Sequence, residues 1–388
     1  MIQLGIFFGG TSVEHEVSVI TAQQAIAQLK KLPGYHVVPI YISKDNHWYT
    51  GDYLHDVEHF KSLPTVIEKS HRVSMVKTDK GACLIKNPLS KRGNNVLATI
   101  DMAFPMIHGT GGEDGNLQGF LEHMHIPYVG CNVLAASMTM DKIASKLFLQ
   151  SAGVRVVDGD WFYAHDWAAC PDRILSDLES KLTYPMIVKP ADIGSSVGIK
   201  TAKNREALIA AIDFAKQFTS RILVEKMLDD MREINISVLG DCEKLRLSVC
   251  EEPLTESDIL TYEDKYMSEG GSKGMSVSKR QIPANLSEPL LREIREMASE
   301  AFIALECSGV IRIDFMIDNH TQQPFINEFN TVPGSLAFYL WEATDVTFLD
   351  MLSEAIEAGY RTFRRKNNIV RSNHLNLLSK KDLKGLKK

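Results

Sequence analysis

Two runs of alternating apolar residues on either side of a short polar segment constrain this chain more than any other feature. Residues 310–317 read V-I-R-I-D-F-M-I and residues 324–330 read P-F-I-N-E-F-N, with Asp318–Gln323 between them. This is the pattern of a β-hairpin with a medium-length loop. A turn centred near Thr321 places Ile311, Ile313, Phe315, Ile317, Phe325 and Phe329 on one buried face together with Asn327. On the other face Asp314 falls opposite Glu328, and Arg312 opposite Asn330. Opposed carboxylates repel, so a fold brings them together only where a cation holds them. Mg²⁺ suits the set, because it takes one or two carboxylates with an amide carbonyl and completes its shell with water and phosphate oxygens. The alternative is a solvated hairpin face on which charges alternate.

A metal of that kind needs a phosphate site, and the chain offers several glycine-rich candidates. Gln3–Phe8 reads as a buried strand ending at Gly9-Gly10, after which Thr11 or Ser12 can cap a helix carrying Val13, Val17, Ile20, Ala25, Ile26 and Leu29 at helical spacing. Strand, glycine turn and helix N-terminus form an anion site by geometry, although G-G-T-S is not the dinucleotide fingerprint. Glu14, one turn into that helix, either complements the helix dipole or serves the site. Strands are expected at His36–Ile42 and Val96–Ile107, the second running into H-G-T-G-G-E-D-G. A tight glycine loop at a strand's carboxyl end is where open α/β sheets bind ligands, and His108 sits there. The polar interval from Asp45 to Asn95 is compatible with a hairpin or a lid.

A single helical stretch containing Met140-Asp141-Lys142 and Lys146 follows, then V-K-P-A-D-I-G-S-S-V-G. Its loop can lay backbone N–H groups over a polyphosphate with Lys189 beside it, but it lacks the ending of a P-loop. Ile222–Leu228 reads as a strand flanked by Glu225 and Glu233, either an adenine and ribose edge or a charged strand edge. Thr261–Gly274, with Lys265 and Tyr266, has the composition of a flap that closes over phosphates. A helix over Glu288–Glu306 leads into the hairpin.

The length of 388 residues allows two or three domains. Arg361–Lys388 holds ten Lys/Arg and one acidic residue, a net of +9, so the overall charge of -6 leaves -15 on residues 1–360. An acidic body argues against nucleic acid as the main partner, and the basic end reads as a solvated extension. The six cysteines show no C-x-x-C pair, which fits reduced thiols in a cytoplasmic protein. Met1 leads directly into an apolar strand without a signal-type segment, and no run reaches membrane-spanning length.

Eight motifs stand in one order: F-G-G-T-S-V-E-H-E-V-S, H-G-T-G-G-E-D-G-N-L-Q-G, M-D-K, V-K-P-A-D-I-G-S-S-V-G, E-K-M-L, Y-E-D-K-Y, R-I-D-F and N-E-F-N-T-V-P-G. Over about residues 1–360 the chain resembles the D-alanine–D-alanine ligase family of the ATP-grasp superfamily. The resemblance implies an α/β three-domain ATP-grasp fold: an N-terminal Rossmann-like domain over 1–135, a central domain over 136–227, a C-terminal domain over 228–365 and a basic tail over 366–388. It implies ATP and Mg²⁺, two ions for which Mn²⁺ can substitute, with D-alanine as substrate and a homodimer as the assembly. Matching positions take roles accordingly. Lys142 and Lys189 contact ATP phosphates, Glu225, Met227 and Leu228 read adenine, and Glu233 the ribose. Lys265 and Tyr266 belong to the closing loop, and Asp314, Glu328 and Asn330 ligate metal. Glu14 takes the first D-alanine's ammonium group in a network with Ser195 and Tyr266, and His108 lies near its carboxylate. Arg312 and the Gly334 N–H stabilise the oxyanion formed when the second amine attacks an acylphosphate.

One segment departs from the family. Members usually follow N-T-x-P-G with a Thr/Ser-rich stretch ending in Ser-Leu before a proline, whereas this chain reads P-G-S-L-A-F-Y-L-W-E. That puts Tyr339 at the serine's place, keeps Leu340, and makes both candidates for the second-substrate pocket. Ser335 is the alternative contact. Three functional readings follow: a ligase joining two D-alanines for peptidoglycan, a relative with a different amino acid or amine as acceptor, and a nucleotide-binding relative without turnover.

Overall fold

The computed structural model describes residues 1–91, 93–254 and 280–370. Three sheets organise them. The first has seven strands, β1 (Ile2–Gly9), β2 (Tyr35–Ile42), β3 (Trp48–Thr50), β4 (His71–Thr78), β5 (Gly81–Lys86), β6 (Val96–Ile100) and β7 (Met102–Pro105), in the order β6-β5-β4-β3-β2-β1-β7. β2, β1 and β7 run parallel, which explains why β1 and β2 read as apolar runs: strands covered on both faces have no side left for polar residues. The expected strand Val96–Ile107 divides at Asp101, whose carboxylate accepts the Gln3 N–H at 2.8 Å. The interval after Asp45 supplies β3, a short helix Leu63–Lys69 and the β4-β5 hairpin.

The helix His15–Leu29 begins with Glu14 at its N-cap and no side-chain cap, rather than being capped by Thr11 or Ser12. It is also rotated from the expected apolar stripe. Val13 and Ile20 are exposed, while His15, Ser18, Thr21 and Gln23 are buried. Those polar side chains satisfy strand ends: Ser18 Oγ accepts from Gly9 N at 2.8 Å and donates to Met106 O at 2.6 Å, and His15 Nδ1 lies 2.6 Å from Gly10 O. An unpaired buried backbone group costs about 1–3 kcal/mol, comparable to the gain from burying one more aliphatic side chain, about 1.5–3 kcal/mol. Hydrogen bonding therefore sets the helix's roll.

The second sheet is antiparallel, in the order β10-β9-β11-β8, with β8 (Gly159–Tyr163), β9 (Met186–Pro190), β10 (Lys200–Ala202) and β11 (Arg221–Lys226). The helices Pro171–Lys181 and Arg205–Ala215 close its core. Ahead of it, the expected single helix divides into Val133–Met140 and Lys142–Ser151, because the Asp141 carboxylate caps the second by accepting from Ile143 N and Ala144 N at 3.0 and 2.9 Å.

The third sheet, also antiparallel, runs β14-β13-β12-β15-β16, with β12 (Met231–Gly240), β13 (Leu245–Pro253), β14 (Arg280–Gln281), β15 (Gly309–Asp318) and β16 (Pro324–Asn330). Helix Glu288–Ala304 buries Leu290, Ile294, Met297 and Phe302 against it. β15 and β16 form the hairpin read from sequence, with Arg312 opposite Asn330 and Asp314 opposite Glu328. The register then shifts between Asp314 and Phe315, pairing Phe315 with Ile326 and Met316 with Phe325. Ile326, not Phe325, therefore joins the core, and Asn327 leaves it to accept from Lys189 Nζ at 3.1 Å. A one-residue bulge redirects side chains in this way.

The helix Phe348–Asn367 returns to the first sheet, burying Met351, Leu352, Ala355 and Ile356 in its core. It continues past the expected limit of the body near Tyr360. Arg361 Nε lies 2.7 Å from the fully buried Asp241 carboxylate, and Lys366 pairs with Glu122. Residues 371–388 of the basic tail lie outside the described residues.

Candidate active site

Loops from all three sheets converge on one region. From the first come Glu14 and His108. Gly109 follows at φ +68°, and a Cβ there would stand 2.8 Å from Glu14 Oε2, so the loop backbone lies directly against that carboxylate. Ser12 Oγ joins the two segments by donating to His108 O at 2.7 Å. From the second sheet's Ile193–Gly198 loop, the Ser195 hydroxyl donates to Glu14 Oε1. Glu14, His108 and Ser195 thus meet although 181 positions separate the outer two.

His108 is buried, and its Nε2 lies 2.9 Å from Thr21 Oγ1, which itself accepts the Ser335 N–H at 3.0 Å. Burial, reinforced by Arg312 and opposed by Glu14, brings the imidazole pKa down to about 4. The neutral ring can then accept the Thr21 hydroxyl proton. Ser335, Leu336 and Ala337 have φ of 52°, 52° and 49°, three consecutive left-handed residues, each costing about 1–2 kcal/mol. The Thr21 contact helps hold that turn, and Gly334 opens it.

The lysines come from Lys142–Ser151 and β9. Lys142 Nζ donates to Ile193 O at 2.7 Å, on the glycine-serine loop. Glu225 is fully buried between Lys146, paired with its Oε1, and Lys189, 2.6 Å from Oε2. Burial would raise this carboxyl, but the two ammonium groups outweigh it and hold the pKa at about 2. Burial lowers both Lys142 and Lys146, with carboxylates opposing: Glu328 foremost for Lys142 and Glu225 for Lys146. Two ammonium groups around one carboxylate leave surplus positive charge, which an anion can neutralise. Met227 and Leu228 lie just beyond the end of β11 at Lys226 rather than inside the strand, and Met227 N donates to Pro185 O at 2.9 Å. Glu233 is half-buried on β12 opposite Met316.

On the hairpin, Arg312 grips Asp314 in a two-pronged contact at 2.6 and 2.8 Å, and Asn330 Nδ2 donates to Asp314 Oδ2 at 3.0 Å. The opposed carboxylates are therefore balanced by the protein's own cations, Arg312 on Asp314 and Lys142 near Glu328. Their opposition does not by itself demand a metal, contrary to the inference from sequence. Among the described residues no three His, Cys, Asp or Glu side chains cluster as metal ligands; here the third oxygen donor is an amide, which suits a hard ion that keeps waters and phosphate oxygens. Glu225 Oε2 is ion-paired with Lys189 at 2.6 Å, so the buried carboxylate holds both Lys146 and Lys189 at the mouth of the glycine-serine loop, where phosphate oxygens would need them. The residues present fit both a nucleotide and Mg²⁺.

Tyr339 donates its hydroxyl to Glu251 Oε1 at 2.8 Å, and Arg280 stacks 4.6 Å above its ring. Leu340 is fully buried. Lys265, Tyr266 and the flap Thr261–Gly274 lie outside the described residues. Sequence reasoning gave no role to Glu113, Thr21, Lys146 or Glu251. Glu113 had a signal, an acidic residue immediately after a Gly-Gly turn at a strand end. The others lie within amphipathic stretches that show no such mark.

Two antiparallel sheets, their basic loop beside a carboxylate-bearing hairpin, joined to a partly parallel N-terminal sheet, define an ATP-grasp-type α/β enzyme. Family models described as D-ala D-ala ligase N-terminus and C-terminus match residues 3–131 and 148–357. The chain belongs to the D-alanine–D-alanine ligase family. It is 38% identical over 366 residues to the D-alanine–D-alanine ligase of Thermosipho melanesiensis, covering 94% of this chain and 96% of that one. With the Thermosipho africanus enzyme of the same name it shares 37% over 381 residues, covering 98% and 99%. Among solved structures, the D-alanine–D-alanine ligase of Coxiella burnetii superposes with a TM-score of 0.76 at 26% identity, covering 94% and 96%. The VanG D-Ala:D-Ser ligase of Enterococcus faecalis gives 0.75 at 26%, covering 92% and 99%.

Proposed function

We propose that this protein is an ATP-dependent ligase that joins two D-alanines for peptidoglycan precursor synthesis. The observation that carries the reading is the convergence of Glu14, Ser195 and His108 beside Arg312, Asp314 and the Gly334 turn. It provides an ammonium site, a carboxylate site and oxyanion donors in one place.

Glu14 takes the first D-alanine's ammonium group, with Ser195 fixing its carboxylate rotamer. His108, neutral at pH 7, faces the substrate carboxylate without adding charge. Bound ATP and Mg²⁺ supply a phosphoryl donor and neutralise its oxygens, and Lys142, Lys189, Asp314, Glu328 and Asn330 are the residues that would hold them. Glu225, Met227, Leu228 and Glu233 accept the adenosine end, and the family resemblance assigns Lys265 and Tyr266, outside the described residues, to the same reaction. The substrate carboxylate attacks the terminal phosphorus of ATP, the bond to the bridging oxygen breaks and ADP leaves, giving an acylphosphate. The second D-alanine's amine then attacks the carbonyl, phosphate leaves and the amine loses a proton. Arg312 and the Gly334 N–H stabilise the oxyanion, a role worth about 3–4 kcal/mol per donor.

The second reading, a different acceptor, is favoured by the altered segment 335–342. The commitment of Tyr339 to Glu251 makes Ser335 the alternative contact for the acceptor. A cytoplasmic homodimer completes the proposal; among the described residues no helix is long and apolar enough to cross a membrane, and light scattering tests the assembly. Mass spectrometry of products from ATP, Mg²⁺, D-alanine and equal amounts of D-serine, D-lactate and glycine tests the main reading. D-alanyl-D-alanine is expected to dominate. A mixed product in excess would select the second reading, and nucleotide binding without any product would reject both.

A further inference from the structure

We propose that Glu113 is a positioning residue: a carboxylate clamp that sets the spacing between the loop carrying His108 and the loop carrying Asn330 and Gly334. The proposal rests on the ligase reading above for its functional consequence. Glu113 Oε2 accepts the Gly109 N–H at 2.7 Å, while Oε1 accepts the Val332 N–H at 2.8 Å and the Thr331 hydroxyl at 3.1 Å. The backbone closes the near side, with Glu113 N donating to Gly109 O at 2.8 Å. Gly109 follows His108 beyond the end of β7 and abuts Glu14. Thr331 and Val332 follow Asn330 at the end of β16 and precede Pro333-Gly334. One half-buried side chain thus ties two loops from different sheets, 219 positions apart, and each loop ends in residues assigned to substrate.

The residue type follows from the donor count. Three donors converge from two directions; the ionised carboxylate accepts on both oxygens, whereas a protonated one accepts fully on its carbonyl oxygen alone and holds the other loop more weakly. A glutamine can serve one loop but turns its own NH₂ toward the other. Glu113 lies beside the reacting groups without being assigned to substrate, so its effect is geometric: a displacement of about 1 Å in such a site costs about 100-fold in rate.

The test uses full-length Glu113→Gln, Thr331→Val and the double variant. Melting temperature, ATP affinity without D-alanine, steady-state kcat and both D-alanine KM values are measured, with hydrogen exchange over residues 106–112 and 328–336. In Glu113→Gln, kcat is expected to fall about 10- to 100-fold while ATP affinity stays within about twofold, because the lysines at the phosphate side sit on other elements. Thr331→Val should lose less, and the double variant no more than Glu113→Gln, since both act through one contact. Folded Glu113→Gln with kcat within about twofold of wild type overturns the proposal. If that variant does not fold, Thr331→Val decides alone, and an unchanged kcat there overturns it equally. Should the wild type make no dipeptide, the ligase reading fails separately. The clamp is then judged by exchange, where faster Gly109 and Val332 amides in Glu113→Gln support it and unchanged protection refutes it.

Discussion

Asp314 and Glu328 are chemically alike and directly paired, yet they differ in what surrounds them. Asp314 is buried and gripped by the half-buried Arg312, so Asp314→Asn leaves that guanidinium short of its counter-charge, a loss of about 1.5–3 kcal/mol. Glu328 is half-buried, and Glu328→Gln should change stability by about 1 kcal/mol or less. Both should abolish turnover. Thermal melts beside ATP turnover check this, and an Asp314→Asn protein melting with the wild type would contradict the assignment of Arg312. Glu113 gives a pH signature. Burial, then Glu14, pushes its carboxyl up to about 7 from an ordinary value of 4.5. Between those values the folded protein retains a proton that the unfolded chain has lost, so this group's contribution to stability falls as pH rises through the window. Urea midpoints at pH 5 and 7.5 should show a smaller decline in Glu113→Gln than in wild type; equal declines would remove Glu113 as the cause.

At the scale of elements, the hairpin shows what periodicity can and cannot disclose. Alternation fixed Arg312, Asp314, Glu328 and Asn330 on one face because that end of the ladder is regular. It misassigned Phe325 and Asn327 because a bulge leaves no mark in an apolar pattern; what stabilises it is Asn327 reaching Lys189 on another sheet. The roll of helix His15–Leu29 was hidden for the same reason, since His15, Ser18 and Thr21 are buried by polar partners at strand ends, on β2 and on the His108 loop. The C-terminal helix makes a prediction at this scale. Truncation after Arg371 should preserve activity, whereas truncation after Tyr360 removes Arg361 and leaves Asp241 buried without its cation, costing about 3 kcal/mol or more. Melting curves of the two truncations measure the difference, and equal stability would show that the last turns of the helix are not docked.

For the whole molecule, glycine-rich loops and lysines were legible because strand, tight turn and helix follow one another locally. Their meeting was legible only through the ordered set of eight motifs, since nothing local in Glu14 or Ser195 announces a partner 181 positions away. The site belongs to no single sheet. Its central claim is that one chain activates the carboxylate of D-alanine by phosphorylation and passes it to a second D-alanine, and oxygen tracing tests that most directly. With D-alanine labelled by ¹⁸O in its carboxylate, ATP and Mg²⁺, the account predicts that each dipeptide formed is accompanied by one phosphate carrying one ¹⁸O. Dipeptide formation with unlabelled phosphate, or phosphate release without dipeptide, would contradict it.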